Sequence, residues 1–373
     1  MKKMWSLLLL ITLVYSCNPE DSKQEEAFES GTFYKGMDLS FLPENESLGV
    51  VFKDENNRVI TNNYSYLANR GVNLVRIRLW IDHTDEAYHL DNLKAQALKL
   101  KAAGMDYLLD FHYSDTWADP GSQQTPAAWQ NLNALELSIA VASYTTDVLR
   151  ELKVQGTEPA IVQIGNETNN GFLWPVGQIY TGPIENFDNY LLITNAAINA
   201  VRTVSPDTKI MIHRAGISDS AYFFDELNSR NIDFDIAGLS YYPWWHGSDI
   251  TTSENELRSF AAGINQKIMI VETAYPFTIA WNDNLNNIIG LNNQLSSGFP
   301  ATLEGQHAFM LRIHDLMKNL PNDQGLGYCY WSPDWVAHNR GVDSFMNGSS
   351  WENMALFNFD YKATPALEVF ELE

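Results

Sequence analysis

Two glutamates stand where packing gives a carboxylate no reason to be. Glu167 closes the run Ile161-Val162-Gln163-Ile164-Gly165-Asn166, and Glu272 closes Ile268-Met269-Ile270-Val271. Short apolar runs of this kind read as strands buried on both faces, so each carboxylate is expected at a strand end. Two carboxyl groups facing one substrate can divide the work of breaking an acetal. One stays protonated and gives its proton to the leaving oxygen, and the other stays ionised and attacks carbon. With retention of configuration that chemistry requires carboxyl groups about 5–5.5 Å apart. A nearby arginine and a tyrosine hydroxyl would keep the second carboxylate charged. The dipeptide Asn166-Glu167 is not informative by itself, because Asn45-Glu46 and Asn255-Glu256 also occur, both in polar segments. Its place after an apolar run sets it apart.

The elements that would carry these residues alternate along the chain. Strands are expected over 34–39, 74–79, 107–111, 160–164, 209–213, 236–240, 268–272 and 327–331. Between them, apolar residues recur at helical spacing over 90–103, 135–152, 190–203 and 306–318, and Gly104 follows the first as a stop. Eightfold strand–helix alternation predicts a single (β/α)8 barrel, with chemistry at the C-terminal ends of the strands. A doubly wound open sheet is the competing arrangement, but no G-x-G-x-x-G follows the first strand. The expected strand ends are rich in reactive and aromatic types: Asp38, Arg76 and Arg78, Asp110 with His112, Asn166-Glu167, His213-Arg214, Tyr241-Tyr242, Glu272 and Tyr330-Trp331.

Composition narrows the partners. The 373 residues are 45% hydrophobic and 12% aromatic, which excludes a disordered chain, and the mean hydropathy of −0.24 excludes a polytopic membrane protein. The net charge of −22 argues against nucleic acid and against polyanionic substrates, leaving a neutral one. Residues 1–16 read as an export signal: Lys2 and Lys3 precede the apolar stretch 7–14, which is too short to span a bilayer. Val14-Tyr15-Ser16-Cys17 resembles a bacterial lipoprotein processing box, so Cys17 is expected to carry lipid and to be the only link to a membrane. Ordinary signal cleavage is the alternative. Residues 17–30, with five acidic side chains, read as a solvated tether or a surface-export tag, and 31–373 as the catalytic domain. The expected location is the outer membrane or cell surface, otherwise secreted or periplasmic. Cys329, the remaining cysteine, reads as a small core residue.

Several stretches together resemble glycoside hydrolase family 53, the arabinogalactan endo-β-1,4-galactanases of clan A, over nearly all of the chain from Tyr34 to Phe370. They are Gly36-Met37-Asp38-Leu39-Ser40, residues 71–80 around Arg76, residues 110–120 starting Asp110-Phe111-His112, Gln163-Ile164-Gly165-Asn166-Glu167, residues 240–247 around Tyr241-Tyr242, and Glu272-Thr273-Ala274-Tyr275-Pro276. The resemblance implies retaining, endo-acting hydrolysis of β-1,4-galactan, a neutral pectin side chain, with Glu167 as acid/base and Glu272 as nucleophile. It implies that Asn166 binds the sugar 2-hydroxyl and that Arg76, with Tyr242 or Tyr241, holds Glu272 ionised. It further implies that Asp110, His112 and His213 belong to the substrate site, and that Trp331 forms the floor under the reacting sugar. No cofactor is implied for catalysis, and no His-x-His pair on the first strand suggests a catalytic metal. A structural calcium ion in the loops after strands seven and eight is implied through Asp283, Asn287, Ser349 and Glu352. Trp281 and Leu285 occupy two positions where the family has ligands, and Glu352 stands where an Asp is usual. A monomer is expected. Trp117, Trp129, Trp174, Trp244, Trp245, Trp281, Trp335 and Trp351 fall in expected loops of the catalytic face, as stacking surfaces for sugars or as loop packing. Extra length falls over 116–133, 277–301 and 332–358, where loops would wall the cleft. Two alternatives remain at this point: another clan A glycanase acting on mannan, xylan or glucan, and a non-catalytic glycan-binding lipoprotein.

Overall fold

The computed structural model describes residues 32–81, 89–338 and 348–373. The segments assigned from sequence to the signal and tether, including Cys17, lie outside the described residues. Eight parallel strands close on themselves: β1 (Tyr34–Asp38), β2 (Leu74–Leu79), β3 (Asp106–Phe111), β4 (Ile161–Ile164), β7 (Lys209–Ala215), β8 (Ile236–Ser240), β9 (Lys267–Thr273) and β10 (Gly325–Tyr330). Two further strands, β5 (Tyr180–Thr181) and β6 (Ile184–Glu185), form a small antiparallel pair inserted after β4. Closure comes from β1 pairing β10, with Gly36 opposite Cys329. Glycine suits that position, since a Cβ on Gly36 would collide with the Cys329 sulfur and force it to shift. Cys329 is therefore a packing residue, fully buried against its neighbour strand.

The strands are apolar along their length because helices cover one side and the barrel interior the other. β2 is buried at all six positions, Arg76 and Arg78 included. Helices return the chain after each strand. α1 (Leu42–Ser47) and α2 (Asn63–Asn69) follow β1, and α3 (Leu90–Ala103) follows β2 and stops at Gly104 in the left-handed conformation. α4 (Ala134–Gln155) opens with a capping box, Asn133 on the Glu136 amide and Glu136 back on Asn133, which satisfies otherwise orphaned donors. α5 (Asp188–Val204), α6 (Ser220–Ser229), α8 (Ile250–Gly263) and α9 (Leu303–Lys318) complete the ring, with the short α7 (Pro243–His246) sitting in the loop after β8. After β10 the last element is a run of 3₁₀ turns, Pro365–Glu371, packed on α9. Each expected helix is present, α3 over the expected range and α4, α5 and α9 extended at one or both ends, and each expected strand is present within one or two residues. The β5–β6 insertion carries no apolar periodicity and was not expected.

Candidate active site

The strand C-termini open into one cleft of about 1180 Å³, and both Glu167 and Glu272 line it. Glu167 sits in a left-handed backbone conformation (φ 48°), two residues after Gly165 (φ 73°). That turn swings the chain off β4 and aims Asn166 and Glu167 over the barrel mouth; non-glycine residues adopt it only where surroundings impose it. The loop after β3 supplies part of that constraint. Gln123 donates to the Asn166 carbonyl (2.7 Å), and the Asn166 amide donates to the Ala118 carbonyl (2.8 Å), leaving its second N–H for the cleft.

One buried guanidinium organises the floor. Arg76 Nη1 lies 2.8 Å from both Asp38 Oδ2 and Glu272 Oε1, and Nη2 lies 2.8 Å from both Asp110 Oδ2 and Asn166 Oδ1. Its Nε donates to Gln163 Oε1 (3.2 Å). Burial alone would discourage the charge on Arg76, but Asp110, Glu272 and Asp38 together make it harder to lose. Tyr242 donates its hydroxyl to Glu272 Oε2 (2.9 Å), so Glu272 is held at both oxygens by donors. Glu167 is held differently, by the Ser240 hydroxyl on Oε1 (2.6 Å). Burial pushes both carboxyls upward, Glu167 to about 8, and the negative charge of Glu272 adds to the rise at Glu167. Arg76 and Tyr242 favour the charged form of Glu272. A single proton shared by the pair therefore resides on Glu167, the asymmetry that acid and nucleophile roles need.

The remaining expected site residues divide into those at the cleft and those behind it. Asn166, Arg76, His112, Tyr242 and Trp331 line the cleft. Trp331 meets Trp351 edge to face at 4.7 Å, which braces the plane of its ring in the cleft wall. Asp110 and His213 have no exposed surface and stand behind the wall, so the structure places them as supports rather than sugar contacts. Asp110 accepts from Arg76, His112 Nε2 (3.0 Å) and Gln163 (2.7 Å). Trp80 donates to His112 Nδ1 (3.0 Å), so the ring's hydrogen is on Nε2, facing Asp110. Burial, then the positive charge of Arg76, holds His213 well below its ordinary pKa, so its ring is neutral. Of the two tyrosines offered for Glu272, Tyr242 makes the contact. Tyr241 turns away, donating to the Gly247 carbonyl (3.0 Å), because successive residues leaving a strand point to opposite sides.

Three participants have no role assigned from sequence, where Asp38 stands only as a strand-end residue. Asp38 and Gln163 complete the Arg76 network, and Ser240 contacts Glu167. Gln163 was visible as an amide inside an otherwise apolar strand; Ser240 left no such trace. Among the tryptophans, Trp117, Trp245, Trp335 and Trp351 line the cleft, while the exposed Trp244 and Trp281 do not. Arg78 lies under the ring of Trp117 (4.0 Å) and against Phe41 (4.5 Å), bracing that wall.

The four residues expected to bind calcium are buried in the loops after β9 and β10. Asp283 accepts from the amides of Leu285 (2.7 Å) and Ser349 (2.6 Å), and Glu352 Oε1 accepts from the amides of Asn282 and Asp283. Ser349 Oγ donates to the Trp335 carbonyl and accepts from the Trp351 amide, the work of a loop pin. Two buried oxygens are without a hydrogen-bond partner, Asn287 Oδ1 and Glu352 Oε2. An all-oxygen set with two such atoms fits a hard cation, though it is poor in carboxylates. Among the described residues no group of three or more His, Cys, Asp or Glu is placed to hold a metal.

A parallel eight-stranded barrel with two unequally held carboxyls at its rim, in a cleft lined by aromatic rings, is an arrangement that glycoside hydrolysis can use. Residues 34–370 match the model of glycosyl hydrolase family 53, and the chain belongs to that family. It is 35% identical to an arabinogalactan endo-β-1,4-galactanase of Cellvibrio japonicus, over 91% of each chain. It superposes on the family 53 catalytic domain of Ignisphaera aggregans with a TM-score of 0.85, at 36% identity, covering 91% of this chain and 96% of that one. A fungal β-1,4-galactanase structure gives a TM-score of 0.78 at 31% identity, covering 92% of this chain and all of that one.

Proposed function

We propose that this chain is a retaining endo-β-1,4-galactanase acting on the galactan or arabinogalactan side chains of pectin. The observation that carries the reading is the unequal holding of two carboxyls in one cleft: Glu272 clamped by Arg76 and Tyr242, Glu167 buried with a pKa near 8. Glu167 gives its proton to the leaving oxygen while Glu272 attacks the anomeric carbon. Glu167, now a base, then takes a proton from water as the glycosyl–Glu272 ester is cleaved. The free Asn166 N–H meets the sugar 2-hydroxyl, and Trp331 lies beneath the ring. The galactanase names of the relatives supply the substrate and the endo action, and a cleft of about 1180 Å³ has room for several sugar units. A panel of linear β-1,4-galactan, mannan, xylan and polygalacturonate tests it. Oligosaccharides from galactan alone are expected; turnover of another neutral glycan instead would retain the family and discard the substrate.

The same reading places the enzyme outside the cytoplasm, lipid-anchored through Cys17 on an acidic tether and acting as a monomer. It also assigns a weak structural calcium to Asp283, Asn287 and Glu352. In that case EDTA lowers the melting temperature, added calcium restores it, and elemental analysis finds one ion per chain. An unmoved melting temperature with no metal found would remove calcium from the account.

A further inference from the structure

We propose that Ser240 decides which oxygen of Glu167 carries the catalytic proton, and that His213 holds Ser240 in that role. The proposal rests on the reading of Glu167 as acid/base. Ser240 ends β8 fully buried, 2.6 Å from Glu167 Oε1 and 2.9 Å from His213 Nε2. No water reaches this chain of three groups from the Ser240 or His213 side, so their donors and acceptors must match one another.

The matching can be solved from its one invariant donor, the backbone N–H of Glu167. Its hydrogen bond runs to His213 Nδ1 at 3.3 Å. Asn166 Oδ1 also lies 2.9 Å from that nitrogen, but Arg76 (2.8 Å) and Gln163 (3.1 Å) already donate to it. Gln163 Nε2 also lies 3.1 Å from Nδ1, so its N–H is shared between Nδ1 and Asn166 Oδ1 and offsets the close approach of those two acceptors. Nδ1 is therefore the acceptor, and the neutral ring carries its hydrogen on Nε2. Nε2–H donates to Ser240 Oγ, and the serine's own hydrogen goes to Glu167 Oε1. A proton on Oε1 would meet that hydrogen head on. It is driven to Oε2, the oxygen left for the cleft and for a leaving group. The opposite tautomer, with Nδ1–H on Asn166, would strand the Glu167 amide and free Ser240 to accept, so Oε1 could take the proton and face it away from substrate. Ser240 acts through Glu167 and is a positioning residue.

The test compares wild type, S240A and S240T on β-1,4-galactan and on a dinitrophenyl β-galactobioside, whose leaving group needs no proton. On galactan, kcat/KM of S240A is expected to fall about 10–100-fold, a part of what general acid catalysis supplies. Its alkaline limb moves to higher pH, because the serine's donation favours the ionised carboxyl. The loss on the activated substrate is much smaller, and S240T recovers the galactan rate. Equal losses on both substrates with an unmoved alkaline limb, or no loss at all, would overturn the proposal. Independent of any variant, ¹⁵N NMR of histidine-labelled wild type should show His213 neutral with hydrogen on Nε2; hydrogen on Nδ1 would overturn it too. If galactan is not cleaved but another glycan is, the substrate reading fails and the same comparison on that glycan still decides the role of Ser240.

Discussion

Glu167 and Glu272 are chemically identical side chains held differently by their neighbours, and the acid/base and nucleophile roles proposed for them rest on that difference. On the proposed roles, replacing Glu167 by Gln removes the proton donor and is expected to slow galactan hydrolysis by about 10²–10⁴-fold. Glu272→Gln removes the proposed nucleophile, and a loss of about 10⁴-fold or more is expected by analogy with other nucleophile deletions. Steady-state kinetics on galactan checks both. Activity of the wild type should fall as pH rises through about 8, where Glu167 loses its proton. The same shift has a stability consequence with a definite sign. Folded Glu167 titrates near 8 against an ordinary 4.5, so the folded state binds the extra proton between those values and stability falls as pH rises through that window. Glu167→Gln removes this penalty. Its melting temperature should exceed that of wild type by a margin that grows from pH 5 to pH 8, and a constant margin would contradict the assignment. At this scale the sequence revealed the residues whose type is conspicuous in its context, such as Glu167, Glu272 and Arg76 on apolar strands. It did not reveal Ser240, since a serine at a strand end is unremarkable until its neighbours are known. Nor could it choose between Tyr241 and Tyr242, adjacent residues that differ only in the side they face.

The elements were legible for a physical reason. A strand covered on both faces must be apolar throughout, so runs such as Ile268-Met269-Ile270-Val271 announce themselves. What obeys no period was not legible: the β5–β6 pair and the 3₁₀ turns that stand in for an eighth helix. The most exacting joint is where β1 meets β10. A methyl on Gly36 would collide with the Cys329 sulfur and crowd the carbonyls of Tyr328 (3.1 Å) and Leu74 (3.3 Å). Gly36→Ala should cost about 1–3 kcal/mol, as overpacking does. Adding Cys329→Ala should return part of that cost, because the two sites share one contact. Thermal unfolding of the single and double variants measures this coupling. Burial also pushes the Cys329 thiol up, so a thiol reagent should leave it unmodified in the folded protein and label it after denaturation.

At the scale of the molecule, charge and substrate agree. A chain with a net charge of −22 repels a polyanion, whereas a neutral glycan feels no such force. Its kcat/KM on galactan should therefore change little up to about 1 M salt, where the screening length is about 3 Å. A steep salt dependence would point to a charged substrate. The acidic tether and Cys17 make a separate expectation: detergent is needed to release the full chain from membranes, and Cys17→Ala yields protein that fractionates without it. The central claim concerns the two carboxyls, and its most direct test is the stereochemistry they dictate. Residues 31–373 digesting linear β-1,4-galactan can be followed by proton NMR from the first minutes. Retention predicts that the β-anomer of the new reducing ends appears first and mutarotates to the equilibrium mixture. Early α-anomer would contradict Glu272 as nucleophile and Glu167 as its acid/base partner.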